Sequence, residues 1–227
     1  MNDPNTRISE GALQLLSLIV RLHASYFEQY HNTIALMIKN GLAQNRSPHA
    51  QVMAVESLVN VLRGAEIGKR HVGVYKSILP PVLSVLQQRL SAGDYTSTAD
   101  VLKSLVEIAT YAPQVMEDVH TQLLQMLLHL IRLCTHTVAD SYGLPNPLAE
   151  NTQPHSTLTL TQKTITEMAG MRNIGIELIL ALLPYLRTRL IRNSDFGREF
   201  VALLYALLVR FKPDSAHWCD DDSVCVY

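Results

Sequence analysis

One short apolar pattern recurs along the chain, and this internal repetition constrains the fold more than any other feature. Four segments, starting at residues 15, 55, 102 and 176, read LLSLIVRL, VESLVNVL, LKSLVEIA and IELILALL. Their starts are separated by 40, 47 and 74 residues. A chain that repeats one helical unit buries its apolar surface by stacking each copy on the next.

The first two spacings match the period of roughly 40–47 residues that is typical of HEAT and armadillo helical hairpins. The sequence therefore predicts an all-α solenoid of about four hairpins, forming a fragment of a right-handed superhelix within a single domain. Composition favours helix-on-helix packing, because only 6% of the residues are aromatic and leucine, which loses little rotamer freedom in a helix, dominates the 48% that are hydrophobic. The repeats are predicted at about 8–43, 48–91, 95–135 and 165–211.

The third spacing is longer by about 30 residues, and the additional residues lie at 136–164. This segment contains Pro145, Pro147 and Pro154 and has no helical period, which predicts an inserted flexible loop. Within it, TLTLT at 157–161 alternates like a strand, although a lone strand is marginal in water. Residues 212–227 are predicted to form an acidic tail.

Two further prolines interrupt predicted helices. Pro80 and Pro81 lie inside the second helix of the second repeat, predicted at 72–91. Pro184 lies inside the first helix of the fourth repeat, predicted at 165–190. Because proline removes a backbone hydrogen bond, each site is expected to bend or break its helix.

Polar residues recur at helical spacing in the second helix of the third repeat, predicted at 115–135. They are separated by steps of 4, 3, 4 and 3 and alternate with apolar residues: Asp118, Gln122, Gln125, His129 and Arg132. Such a stripe is typical of the solvated face of a mostly buried helix. A strip of concave solenoid surface that binds a protein partner would show the same pattern. Both interpretations remain open at this point.

Charge and motif content argue against several function classes. Nineteen basic and 20 acidic residues give a net charge of −1, which provides no broad field for nucleic acid or anionic membrane. No apolar run approaches the roughly 20 residues of a membrane span. Cys134 and His136 lie two apart, but no motif supplies four metal ligands. We therefore predict no catalytic, cofactor or metal site, and three cysteines favour reduced thiols in the cytosol or nucleus.

Residues 101–134 resemble a segment of the importin-β (karyopherin-β) family, in particular its importin beta-3, or importin-5, branch. The likeness is carried by KSLVEIA at 103–109, by Ala112-Pro113 and by the leucine-rich helix that comes after them. Upstream, ILPPVLSVLQQRL at 78–90 is similar to the family's proline-bearing second helix. Downstream, DSAHWCDDD at 214–222 resembles the branch's acidic stretch with an embedded tryptophan.

This resemblance implies a non-catalytic fragment from the N-terminal half of a nuclear import receptor that shuttles between cytoplasm and nucleus. The implied partners are protein cargo, Phe-Gly nucleoporins and Ran-GTP, the last mainly through repeats outside this fragment. It also implies that grooves between first helices can hold nucleoporin phenylalanines. Here such a groove would lie between Val59 or Leu62 and Leu105 or Ile108, unless these residues are ordinary inter-repeat core.

Two alternatives belong to other classes. One is a HEAT-repeat scaffold or adaptor outside nuclear transport, such as a phosphatase scaffold or an assembly chaperone, which would share the repeats but would not need KSLVEIA. The other is an enzyme with an unrecognised site. The sequence offers no cluster of acid, base and nucleophile to support that class.

Overall fold

The computed structural model describes residues 4–64, 69–141, 161–192, 197–198, 200–202 and 205. Eight α-helices are formed by these residues, and no strand occurs among them: α1 (Pro4–Leu22), α2 (His31–Gly41), α3 (Pro48–Gly64), α4 (Lys69–Lys76), α5 (Leu79–Ser91), α6 (Tyr95–Tyr111), α7 (His120–Ser141) and α8 (Gln162–Arg192). Short 3₁₀ helices precede α2 at Ala24–Tyr30 and α7 at Pro113–Met116. The predicted all-α class is confirmed.

The helices form two layers. In the first layer α1, α3, α6 and α8 lie side by side, each in contact with the next. In the second layer α2, α5 and α7 each pack on the first-layer helix of the following hairpin, namely α3, α6 and α8. Because α3 begins 44 residues after α1 and α6 begins 47 after α3, the period has the HEAT-type length. The predicted solenoid of stacked hairpins is confirmed.

Local sequence signals explain where α3 and α6 begin. The Ser47 hydroxyl accepts a hydrogen bond from the backbone N–H of Ala50 at 3.1 Å, so Ser47 caps α3. The Asp94 carboxylate accepts one from the N–H of Ser97 at 3.2 Å and caps α6. Just before it, Gly93 has a φ of 69°, a left-handed conformation that glycine adopts without strain.

The two proline sites behave differently. The helix expected over 72–91 is divided into α4 and α5 by a turn at Ser77 and Ile78. Pro80 and Pro81 then lie in the first turn of α5, where a missing N–H costs no helical hydrogen bond. By contrast, α8 continues through Pro184 to Arg192, so this proline does not end its helix.

The limits expected for the inserted loop are too wide at both ends. Helix α7 extends to Ser141, because no glycine or proline lies between Pro113 and Gly143, and α8 begins at Gln162. Residues 136–141 and 162–164 are therefore helical. Residues 142–160, the acidic tail at 212–227 and most of the second helix of the fourth repeat lie outside the described residues.

The exposure of apolar residues in a first-layer helix depends on how many helices flank that helix. In α3, which lies between α1 and α6, Val55 and Leu58 are fully buried. The equivalent positions of the repeat in α1 are Leu15 and Leu18, which are 61% and 41% exposed. Among the described helices only α3 flanks α1 in this layer, so the apolar positions of the repeat are buried fully where two helices flank them.

A close approach of backbones fixes the spacing of α1 and α3. A Cβ atom added to Gly64, the last residue of α3, would overlap the backbone of Arg21. Beside this contact the Asn60 side chain donates to the Ser17 hydroxyl at 3.4 Å, and Ser17 itself is buried. Small residues thus allow the two helices to pack backbone against backbone.

Gly64→Ala is expected to lower the free energy of unfolding by about 1–3 kcal/mol, because α1 must move away from α3 to admit the methyl group. The matched control is Gly73→Ala in α4, where an added Cβ meets nothing within 4 Å. This control should raise stability by roughly 0.5–1 kcal/mol through helix propensity. Urea unfolding followed by circular dichroism measures both, and equal effects of the two changes would contradict the close approach.

Candidate partner-binding surface

Four residues of the polar stripe lie on one exposed face of α7. Gln122, Gln125, His129 and Arg132 are separated by steps of 3, 4 and 3 and are all exposed. Asp118 is exposed too, but it lies in the turn before α7 rather than on the helix. The expected helical start near residue 115 is wrong, because Pro113 begins a separate 3₁₀ turn and α7 starts at His120.

The opposite side of α7 is buried in the core. It consists of apolar residues that belong to the main hydrophobic core: Leu123, Leu124, Leu127, Leu128, Leu130, Ile131 and Cys134. Through this side α7 packs on α8. The stripe therefore presents amide, imidazole and guanidinium groups to solvent from a helix whose other side lies in the core. Its exposure agrees with a solvated face and with a binding surface alike.

Asp118 belongs to a small charge cluster at the end of the stripe. The Lys76 ammonium lies 2.8 Å from the Glu117 carboxylate and 3.5 Å from that of Asp118. The hydrogen bond with Glu117, assisted by the charges of Glu117 and Asp118, raises the pKa of Lys76. This cluster links α4 to the turn before α7, so Asp118 is a partner of Lys76 as well as a member of the stripe.

The groove between first helices is filled. Val59, Leu62, Leu105 and Ile108 are all buried, so they form inter-repeat core between α3 and α6 rather than an open cleft.

Arg63 ties the same two helices together at the surface. Its Nη2 atom lies 3.1 Å from both the Glu107 carboxylate and the Tyr111 hydroxyl, and its guanidinium carbon lies 4.6 Å from the Tyr111 ring centroid. A guanidinium over an aromatic face is attracted by the ring quadrupole.

Sequence reasoning missed a buried polar pair at the junction of the first two repeats. The Nδ1 atom of His31 in α2 lies 2.5 Å from the hydroxyl of Tyr75 in α4, and both side chains are buried. The ring of His71 lies 4.2 Å from that of His31, centroid to centroid. Burial, and then the neighbouring His71, lower the pKa of His31, while burial raises the pKa of Tyr75. The sequence contains no motif that indicates a contact between these two residues, which lie 44 positions apart.

A second buried pair lies between α7 and α8. Burial raises the pKa of the Cys134 thiol to about 12, so the thiol stays protonated and is a poor nucleophile. Burial also lowers the pKa of the neighbouring Arg172. Within the described ranges no three or more His, Cys, Asp or Glu side chains converge as metal ligands. None of the helices described is both long and apolar enough to cross a bilayer.

The stacked hairpins and their period define the chain as an α-solenoid of helical repeats. A family model described as IPO5-like, TPR repeats matches residues 1–126, which is more than half of the chain. The chain therefore belongs to the IPO5-like repeat family, which confirms the importin-5 resemblance read from the sequence. Neither the curated proteins nor the solved structures give a significant match. The matched region includes Asp118, Gln122 and Gln125 of the stripe and ends before His129 and Arg132.

The buried His31 should make stability depend on pH. Its pKa is lowered in the folded state, so the unfolded chain binds more protons once the pH falls below about 6.5. The free energy of unfolding should then decrease as the pH falls from about 7.5 to about 5.5. Urea unfolding across this range measures the slope.

The matched variants are His31→Gln and His49→Gln, since His49 is an exposed histidine on α3. His31→Gln should flatten the slope below about pH 6.5, because it removes the buried titrating group. His49→Gln should preserve the slope. A His31→Gln chain with an unchanged pH profile would show that the slope arises elsewhere.

Proposed function

We propose that this chain is a non-catalytic segment of a nuclear transport receptor that binds protein partners and shuttles between cytoplasm and nucleus. The observation that carries the proposal is the family match over residues 1–126. The two-layer stack supports it, because solenoids offer an extended surface on which protein partners can bind. The proposed partners are protein cargo, Phe-Gly nucleoporins and Ran-GTP, the last mainly through repeats outside this chain.

The α7 stripe is the proposed contact surface for a polar segment of cargo. The amides of Gln122 and Gln125 each provide donors and an acceptor, and the backbone of an extended segment provides the complementary groups. His129 and Arg132 continue the same face toward the end of α7. Nucleoporin phenylalanines need an apolar cleft instead. Val59, Leu62, Leu105 and Ile108 do not provide an open one, so the proposed nucleoporin contact lies elsewhere on the chain.

The transport assignment predicts weak, saturable binding of a Phe-Gly repeat peptide. Fluorescence anisotropy at physiological salt compares this peptide with a Ser-Gly control of equal length. The Phe-Gly peptide alone should bind, because its aromatic rings supply the apolar area that drives association. Equal anisotropy curves would count against nucleoporin binding by this segment and would favour either a cargo-facing segment or a scaffold outside transport.

The stripe predicts a specific loss of peptide binding in the triple variant Gln122→Ala/Gln125→Ala/His129→Ala. An array of 15-residue peptides is incubated with the labelled wild-type chain, this variant, and the control Gln87→Ala, an exposed glutamine on α5. Peptides bound by the wild-type chain and the control should be lost with the triple variant. Surface changes should alter the free energy of unfolding by no more than about 0.5 kcal/mol. If all three proteins select the same peptides, the stripe is a solvated face.

A further inference from the structure

One side of α1 is apolar and uncovered, and we call it the outer face of α1. Its large side chains are between 38% and 74% exposed: Ile8, Leu15, Leu18, Ile19 and Leu22. The small residues Gly11 and Ala12 lie among them and are exposed as well. At 3.6 residues per turn, all seven fall within an arc of about 120° around the helix.

The outer face points away from α3, which is the only described helix that flanks α1 in the first layer. On the opposite side of α1, Leu13 and Val20 are buried, and the Ser17 hydroxyl contacts α3. Continuous apolar patches of this kind on the surface of a folded chain often mark interaction sites. The outer face therefore calls for an occupant that can cover a row of leucines and isoleucines.

The contacts inside the first layer indicate what does not fit this face. Arg21 of α1 donates to the Asn60 side chain of α3 at 3.5 Å, and Arg63 of α3 pairs with Glu107 of α6. A helix that follows another in this row thus presents a polar side chain to the arginine of the helix before it. The outer face of α1 has no such side chain, so another helix of the same kind would find no partner for its arginine.

Helix α8, at the other end of the described row, does not fit the outer face either. Its exposed side carries Lys163, Thr166 and Glu177. Covering these groups with the leucines of α1 would remove charges from water without pairing them, which is costly. Copies of the chain are therefore not expected to stack end to end through α1 and α8.

The spacing of the large residues makes the outer face complementary to itself. Leu15 lies at the centre of the face, seven residues from Ile8 and seven from Leu22. Apolar residues repeated every seven positions are typical of a helix that pairs with a like helix. If a second α1 packs antiparallel with the two Leu15 residues level, Ile8 of each copy lies level with Leu22 of the other.

The same antiparallel arrangement places large residues against small ones. The two large residues that come after Leu15 on this face, Leu18 and Ile19, lie level with two small residues of the other copy. Those small residues are Gly11 and Ala12, and a Cβ atom added to Gly11 would meet nothing within 4 Å. Large and small side chains that face each other interdigitate without voids. In a parallel pair the large residues would meet each other and the small ones would leave a gap.

We propose that the outer face of α1 is a dimer interface, at which two copies of this chain pack through antiparallel α1 helices. The two-fold axis passes at the level of Leu15, and both copies contribute the same residues. The face offers far fewer residues than the roughly 20–30 per side of a standard interface, so we expect a micromolar dissociation constant. This interface does not depend on the α7 stripe or on a role in nuclear transport.

Sedimentation velocity of the full chain, from low micromolar to several hundred micromolar, tests the proposal. The wild-type chain should pass from monomer to dimer over this range. Leu15→Glu should raise the dissociation constant by at least about a hundredfold, because two carboxylates would meet at the two-fold axis. The matched control is Leu36→Glu, since Leu36 is a leucine of similar exposure on α2, away from the outer face. This control should leave the dissociation constant unchanged.

A pair of charge changes tests the antiparallel arrangement. Leu22→Glu alone should weaken the dimer, because it places a carboxylate against the isoleucine of the other copy. The double variant Ile8→Lys/Leu22→Glu should dimerise more tightly than Leu22→Glu, because antiparallel packing brings an ammonium of one copy level with a carboxylate of the other. A parallel pair would bring like charges together at both positions.

Several outcomes would overturn the proposal. A wild-type chain that stays monomeric at every concentration would show that the outer face does not bind a second copy. Dimerisation that survives Leu15→Glu, or that Leu36→Glu weakens equally, would place the interface elsewhere. A double variant no tighter than Leu22→Glu would rule out the antiparallel arrangement. Far-ultraviolet circular dichroism checks that each variant keeps its helices, and if Leu15→Glu does not fold, Leu22→Glu and the double variant still decide the question.

Discussion

The packing of first-layer helices side by side is the constraint on which the rest of the molecule depends. In α3 and α6 these contacts bury apolar residues at the same positions of the repeat, and between α1 and α3 the small residues Gly64 and Ser17 let the backbones approach closely. The second-layer helices pack on this row, and one of them, α7, carries the candidate partner-binding surface. A change in the distance between two first-layer helices would therefore alter the spacing of the second-layer helices that pack on them.

Much of this layering could be predicted from the sequence, because the repeated segments and the spacing between them are visible there. The motif LKSLVEIA in α6 and VESLVNVL in α3 place leucine at equivalent positions, and Leu105 and Leu58 are both buried. Capping residues such as Ser47 and Asp94 mark helix starts through local hydrogen bonds. The positions of prolines predict helix ends less well. Its effect depends on whether the chain places it in a first turn, as with Pro80, or within a long helix, as with Pro184.

The exposed stripe on α7 could also be predicted from periodicity, since polar residues at steps of three and four must share one face of a helix. The buried polar contacts could not. The pairing of His31 with Tyr75 depends on which helices meet, and α2 and α4 meet only in three dimensions. Neither the composition nor the spacing of residues indicates such a contact, because the two residues lie 44 positions apart.

Two consecutive residues of α4 join the neighbouring repeats by different kinds of bond. Tyr75 reaches back to His31 of the first repeat through a buried hydrogen bond between uncharged groups. Lys76 reaches forward to Glu117 of the third repeat through a partly exposed ion pair, which salt screens. Acidification should therefore destabilise the buried contact with His31, because protonation of the histidine is disfavoured in the folded chain, whereas high ionic strength should weaken the ion pair with Glu117. Helix α4 thus contacts the repeat before it through a bond that depends on pH and the repeat after it through a bond that depends on ionic strength.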